Sequence, residues 1–172
     1  MKTTMICAVM FCAALLSAGE PVKFNKNFTM DSQGKLSRWV ENKLEVFKPW
    51  GAYEIIDDDE GNNALHISAT GAEYHILSND WFKIQEGKTL VIKATVKGSG
   101  QFSIGSLVYT DKYKFIYSHY GTRSRAEKAE KVFTFKVAPK GRNGNKVGLG
   151  RIFIVGYKGA DVTISKLSAE IE

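Results

Sequence analysis

The sequence predicts an all-β protein, a sandwich of two antiparallel sheets, and three observations predict it. Apolar and polar residues alternate with period two in almost every segment after the first twenty residues. Short turns built from Gly, Asn and Asp separate the alternating runs, and no stretch carries a sustained apolar stripe at helical spacing. About ten strands in one chain bury their apolar faces only by packing sheet on sheet.

Taken in order, the chain begins with one basic residue, Lys2, an apolar run from Met5 to Leu16, and the small residues Ser17, Ala18 and Gly19. That order is the grammar of a secretory signal peptide, expected over residues 1–19 with cleavage after Gly19. An apolar run of this length is too short to cross a bilayer as a helix, so no membrane insertion is expected. Cys7 and Cys12 both lie in the leader, so the remaining chain has no thiol and no disulfide. A lipoprotein leader would need a Cys where Glu20 stands. The expected product is a released protein, secreted or periplasmic, and export without disulfides fits a bacterial origin.

Residues 20–172 are expected to form a single β-sandwich domain, since 153 residues support one core. Its three prolines, Pro21, Pro49 and Pro139, fall between strand candidates. The charge of +6 drops to +5 with the loss of Lys2 and is spread along the chain. The densest basic runs, Arg123 to Lys131 and Lys140 to Lys146, are broken by Glu127 and Glu130 or by Gly and Asn. Both read as solvated loops, and no nucleic-acid partner is expected.

The first clear strand is "NALHISA", with Leu65, Ile67 and Ala69 on one side and His66 and Ser68 on the other. After Thr70 and Gly71, "AEYHIL" returns Ala72, Tyr74 and Ile76 to the first side. This pattern predicts a hairpin pairing Ile67 with Tyr74 and His66 with His75. "TLVIKATVKG" puts Leu90, Ile92, Ala94 and Val96 inward and Lys93, Thr95 and Lys97 outward, as a central strand. It turns at Gly98 to Gly100 into "QFSIGSLVY". Further strands follow at "KFIYSHY", "KVFTFKVA", "VGLGRIFIVGY" and "DVTISKLSAEI". The one helix candidate, "SRAEKAEK", is polar throughout and allows one or two turns at most.

Four stretches carry a family resemblance: "NFTMDSQGKLSRWV", "NNALHISATGAEYHILSNDWFKIQEGKTLVIKATVKGSG", "SIGSLVYTDKYKFIYS" and "ADVTISKLSAEI". In this order they resemble carbohydrate-binding modules with a galactose-binding-like β-jelly-roll. The shared features are an early Asn-Phe, Gly34 followed by Trp39, a strand entered after a Gly-Lys turn, the Tyr109 to Lys112 turn and a final amphipathic strand. The resemblance implies a non-catalytic binder of poly- or oligosaccharide. In many such modules an acidic residue on the last strand helps hold a structural calcium. Here Ser165 and Lys166 stand in that neighbourhood, so no cofactor is expected, and the one calcium candidate is the turn at Asp57, Asp58 and Asp59.

Sugar recognition in water uses flat aromatic surfaces against pyranose faces and planar or forked groups against hydroxyls. Trp50, between Pro49 and Gly51, is expected on a loop. Trp81 is expected to point away from its core neighbour Phe82, at the rim of the outer face made by Lys93, Thr95 and Lys97. Trp39 holds a structural place in the resemblance. Tyr109 and Tyr117 flank the "TDKYK" turn and are expected as cross-strand neighbours on one face, with Arg151 beside them. The candidate ligand-binding residues are therefore Trp50, Trp81, Tyr109, Tyr117 and Arg151. His66 and His75 would supply only two ligands to a metal, so no metal site is expected.

No catalytic pattern is complete. The Glu-x-Asp-x-Glu strand of β-sandwich glucanases fails at Ile56, two residues after Glu54, and Asp57 to Gly61 reads as a turn. There is no Gly-x-Ser-x-Gly, no His-Glu-x-x-His and no phosphate loop. Non-catalytic glycan binding is the first expectation. The alternative is an adhesion or assembly sandwich that meets another extracellular protein.

Overall fold

The computed structural model describes residues 19–172; the expected leader, with Cys7 and Cys12, lies outside the described residues but for Gly19. The described strands are β1 (Glu20–Pro21), β2 (Trp39–Asn42), β3 (Ala52–Asp57), β4 (Asn63–Ser68), β5 (Glu73–Ser78), β6 (Phe82–Lys83) and β7 (Leu90–Ser99). They continue with β8 (Gln101–Tyr109), β9 (Phe115–His119), β10 (Ser124–Arg125), β11 (Lys131–Val137), β12 (Leu149–Tyr157) and β13 (Asp161–Ile171). One sheet has six strands in the order β11-β7-β13-β4-β3, with β1 also on β13. The other has seven in the order β10-β8-β12-β5-β2, with β6 also on β12 and β9 also on β8. Every pairing is antiparallel, so the all-β two-sheet sandwich stands as expected.

Alternation decides which residues meet in the middle. From the six-stranded sheet come Leu65, Ile67, Leu90, Ile92, Val96, Phe135, Val162 and Ile164; from the other come Tyr74, Ile76, Phe102, Ile104, Ile152 and Ile154. Lys93, Thr95 and Lys97 face outward as the pattern requires, Lys93 to Glu170 at 3.0 Å and Lys97 to Asp59 at 2.7 Å. Turning this strand over would bury both lysines.

Three expectations are corrected. The segments around Thr70 and Gly71 form no hairpin, because β4 pairs with β3 and β13 whereas β5 pairs with β2 and β12. Ile67 therefore lies opposite Tyr53 and Val162, not Tyr74. The chain crosses from one sheet to the other at Gly71, where a Cβ would collide with the carbonyls of Phe47 and Pro49. Likewise β7 and β8 join opposite sheets through Gly98 (φ 131°) and Gly100 (φ 85°), and β7 is second from its sheet's edge, not central. Last, "SRAEKAEK" forms no helix: Ser124 and Arg125 are β10, and bends follow.

Candidate functional site

The outward side of the seven-stranded sheet is apolar along β12. Phe153 and Val155 are completely buried there, Tyr157, Leu77 and Leu107 nearly so, and Tyr109 packs against them. Two loops close over this patch. Phe47, from the segment between β2 and β3, meets the His75 ring at 5.1 Å, and Tyr120, after β9, meets Phe153 edge-on at 5.1 Å. His75 Nε2 lies 2.7 Å from Glu73 Oε2, to which the Tyr120 hydroxyl also donates at 3.3 Å. Burial first, then the negative charge of Glu73, pushes the Tyr120 phenol up to about 12. Arg123 covers Tyr157, its guanidinium 3.7 Å from the ring centre.

The other end of this face stays open, and Trp81 stands there. Phe82 turns into the core at 8% exposure, so its neighbour Trp81 turns out, 39% exposed. Its loop is held on both sides. Arg151 Nε donates to the Ser78 carbonyl at 2.6 Å, and Arg151 Nη2 donates to Asn79 Oδ1 at 2.8 Å. Asp80 is ion-paired with Arg38 and accepts the Asn25 N–H at 2.8 Å. The buried Asp80 carboxylate thus fixes the residue before Trp81, and Arg151 fixes the two before that.

Three more rings complete the corner. Tyr109 meets Trp81 at 4.7 Å and 67°, Tyr113 meets it at 5.0 Å and 88°, and Phe115 meets Tyr109 at 5.5 Å. Tyr113, 63% exposed, sits on the β8–β9 turn with φ 61°, in the left-handed region that a bulky residue rarely adopts. Thr110 Oγ1 holds that turn by accepting the N–H groups of Lys112 and Lys114. The Arg151 guanidinium lies 5.1 Å from the Trp81 ring centre. Two of its five N–H donors are engaged, and the other three have no protein acceptor among the described residues. Steep angles between the rings make a notch, not a flat track.

The three tryptophans differ in their indole N–H. Trp39 donates to the Asn25 carbonyl at 2.8 Å and is 4% exposed, in the structural place expected for it. Trp50 donates to the Leu44 carbonyl at 2.9 Å, with Lys43 and Lys48 over its ring, and packs against the core edge far from the corner. Trp81 donates to no protein acceptor among the described residues.

Of the candidate residues, Trp81, Tyr109 and Arg151 come together. Trp81 does so on the seven-stranded sheet and not at the rim of the Lys93, Thr95 and Lys97 face. Tyr117 points the opposite way from Tyr109. The β8–β9 pairing slips after Val108, so Tyr109 opposes Phe115 while Tyr117 opposes the inward Val108. The Tyr117 hydroxyl accepts the Lys140 N–H at 2.9 Å, and Arg142 covers its ring. Tyr113 and Phe115 were not marked by the sequence pattern. An aromatic inside a polar turn was the available signal.

His66 and His75 sit on different sheets and share nothing. His66, facing out from β4, contacts Asp161 Oδ1 at 3.0 Å, Ser68 Oγ at 3.4 Å and Thr163 Oγ1 at 3.1 Å. Asp161 and Ser68 both address the same nitrogen, Nε2. A nucleophile triad needs its acid and its hydroxyl on opposite ring nitrogens, so Ser68 is not placed to act with Asp161, and Thr163, which is on the other nitrogen, is buried at 8% exposure. Among the described residues no three His, Cys, Asp or Glu side chains cluster to hold a metal.

The acidic turn does not fit calcium. Asp58 Oδ1 accepts the N–H groups of Glu60 and Asn62 at 2.9 and 2.8 Å, and these bonds, the one from Asn62 foremost, lower its pKa. Lys97 is on Asp59, and Lys166, swung out by the bulge between Ser165 and Ser168, is on Glu60 at 2.6 Å. Each ammonium is held charged by its carboxylate hydrogen bond, which raises its pKa. Two lysines thus meet the carboxylates that a cation would need.

No protein-family model matches the chain, and no curated protein does. Solved structures resemble it in fold. An arabinose-bound α-L-arabinofuranosidase is 13% identical with a TM-score of 0.61, over 89% of this chain and 26% of the enzyme, so the chain spans about a quarter of that protein. A xylan-binding domain from Paenibacillus barcinonensis, of the carbohydrate-binding family CBM22, is 11% identical with a TM-score of 0.55, over 90% of this chain and 96% of that one. A cyclase from Fischerella sp. TAU is 10% identical with a TM-score of 0.58, over 90% and 98%. The chain has the β-sandwich fold of carbohydrate-binding modules, and the cyclase has it too.

Proposed function

We propose that the chain is a secreted, non-catalytic carbohydrate-binding protein that holds a sugar in the corner formed by Trp81, Tyr109 and Arg151, with Tyr113 and Phe115 beside them. One observation carries the proposal: Trp81 is half open, its indole N–H is free among the described residues, and its loop is locked by Arg151 and Asp80. A ring fixed before the ligand arrives loses little entropy on binding. The notch takes one sugar ring against Trp81, with Arg151 and the indole N–H meeting hydroxyls. Non-catalysis is supported by the broken glucanase pattern at Ile56 and, at His66, by a Ser68 on the same nitrogen as Asp161 and a Thr163 that is buried.

The test is a glycan array probed with residues 20–172. Retention of a glycan by the wild-type chain and not by Trp81→Ala supports the proposal; no retention of any glycan refutes it. The assembly reading is favoured by a different observation, that the touching rings of the corner meet at 67° to 88° and form no stacked pair. Under that reading no glycan is retained, and the chain instead captures another extracellular protein that Trp81→Ala fails to hold.

A further inference from the structure

Trp81 belongs to two places at once. Besides the aromatic corner, it lines a cleft of about 540 Å³ between β1 and β6, at the open edge where the two sheets part. The floor is apolar, with Val22, Ile84 and Ile171. The rim is basic: Lys23, Lys83 and Lys88 line it against one carboxylate, Glu20. Alternation puts Lys83 outward because Phe82 is core, and the turn through Gly87 brings Lys88 to the same rim. None of the three lysines makes an ion pair among the described residues, whereas Lys93, Lys97 and Lys166 each face a carboxylate. Gln85, also in the lining, adds a side-chain amide suited to a hydroxyl.

Resting on the carbohydrate proposal above, we infer that the glycan is anionic and carries carboxylates, as a uronic-acid polymer does. A sugar seated on Trp81 projects its neighbours into a cleft where three ammonium groups outnumber one carboxylate and make no ion pair among the described residues, and the Arg151 guanidinium beside Trp81 keeps the N–H groups not given to Ser78 and Asn79. A neutral glycan would leave that positive rim unused; an anionic one fills it. The positive rim also attracts such a polymer before contact.

The experiment measures the affinity of residues 20–172 for polygalacturonate, for its methyl ester and for neutral xylan, at ~0.05 M and ~0.5 M salt. Expected is binding to polygalacturonate that weakens on esterification and at high salt. The combined variant Lys23→Ala, Lys83→Ala, Lys88→Ala should lose about tenfold to a hundredfold in affinity for it. These side chains are exposed, so its unfolding curve should match the wild type, which separates lost charge from lost fold. Equal, salt-insensitive binding of xylan and polygalacturonate overturns this inference and leaves the carbohydrate proposal standing. Binding of polygalacturonate that survives Trp81→Ala is charge alone and also overturns it. Binding to no glycan removes the carbohydrate proposal itself.

Discussion

On the outer face of the six-stranded sheet Lys93 reaches Glu170 and Lys97 reaches Asp59, whereas at matching depth on the seven-stranded sheet Phe153 and Val155 are completely buried. Both faces arise from period-two alternation, but only the first alternates apolar with polar. The run Ile152 to Val155 is apolar on both sides, so its outward residues need a cover of their own. Phe47 and Tyr120 supply it at one end, and at the other end Trp81 stays 39% exposed. A face that water satisfies needs no ligand. The half-covered one is where we propose that the ligand sits.

The largest test of this contrast is Phe153→Ala. Removing a completely buried ring that packs against His75 and Tyr120 should cost about 3–5 kcal/mol in denaturant unfolding. A cost near zero would mean that the seven-stranded outer face is no second core.

Next comes Trp81→Ala, expected to weaken glycan binding by about 1–3 kcal/mol while barely moving the melting temperature. A stability loss of about 3–5 kcal/mol would instead make the ring part of the core. Calorimetric titration and a thermal melt on the same sample separate the two results.

A smaller effect appears at alkaline pH. The folded Tyr120 phenol is raised to about 12, above the roughly 10 of an unfolded tyrosine, so its contribution is complete below pH 10 and lost as pH rises toward 12. Tyr120→Phe should flatten that part of the alkaline decline in the urea midpoint. An unchanged decline would show that Tyr120 is not held between Phe153 and Glu73. Smallest of all, Lys93→Ala on the polar face should change stability by at most about 1 kcal/mol, and added salt should erase the difference.

How much of this was legible follows from what alternation encodes. It names the inward and outward sides, and Leu90, Ile92, Ala94 and Val96 are inward as read. It does not name the sheet. Ile67 and Tyr74 point inward whether their strands pair or face each other across the core, so a crossing at Gly71 leaves the same pattern as a hairpin. For the corner, Trp81 was visible because its neighbour Phe82 is a core anchor, and Arg151 because it breaks a Gly-rich apolar strand. The slip after Val108 was not visible, since a bulge reverses the side of every later residue without altering composition. It removed Tyr117 from the corner and brought Phe115 to it.

The most direct test uses the three indole N–H groups as reporters. In a nitrogen-15 NMR titration of residues 20–172 with the glycan the array selects, the Trp81 indole signal should move. Those of Trp39 and Trp50, donated to the Asn25 and Leu44 carbonyls, should stay in place. A static Trp81 signal with a moving Trp50 signal would place the ligand elsewhere and contradict the account.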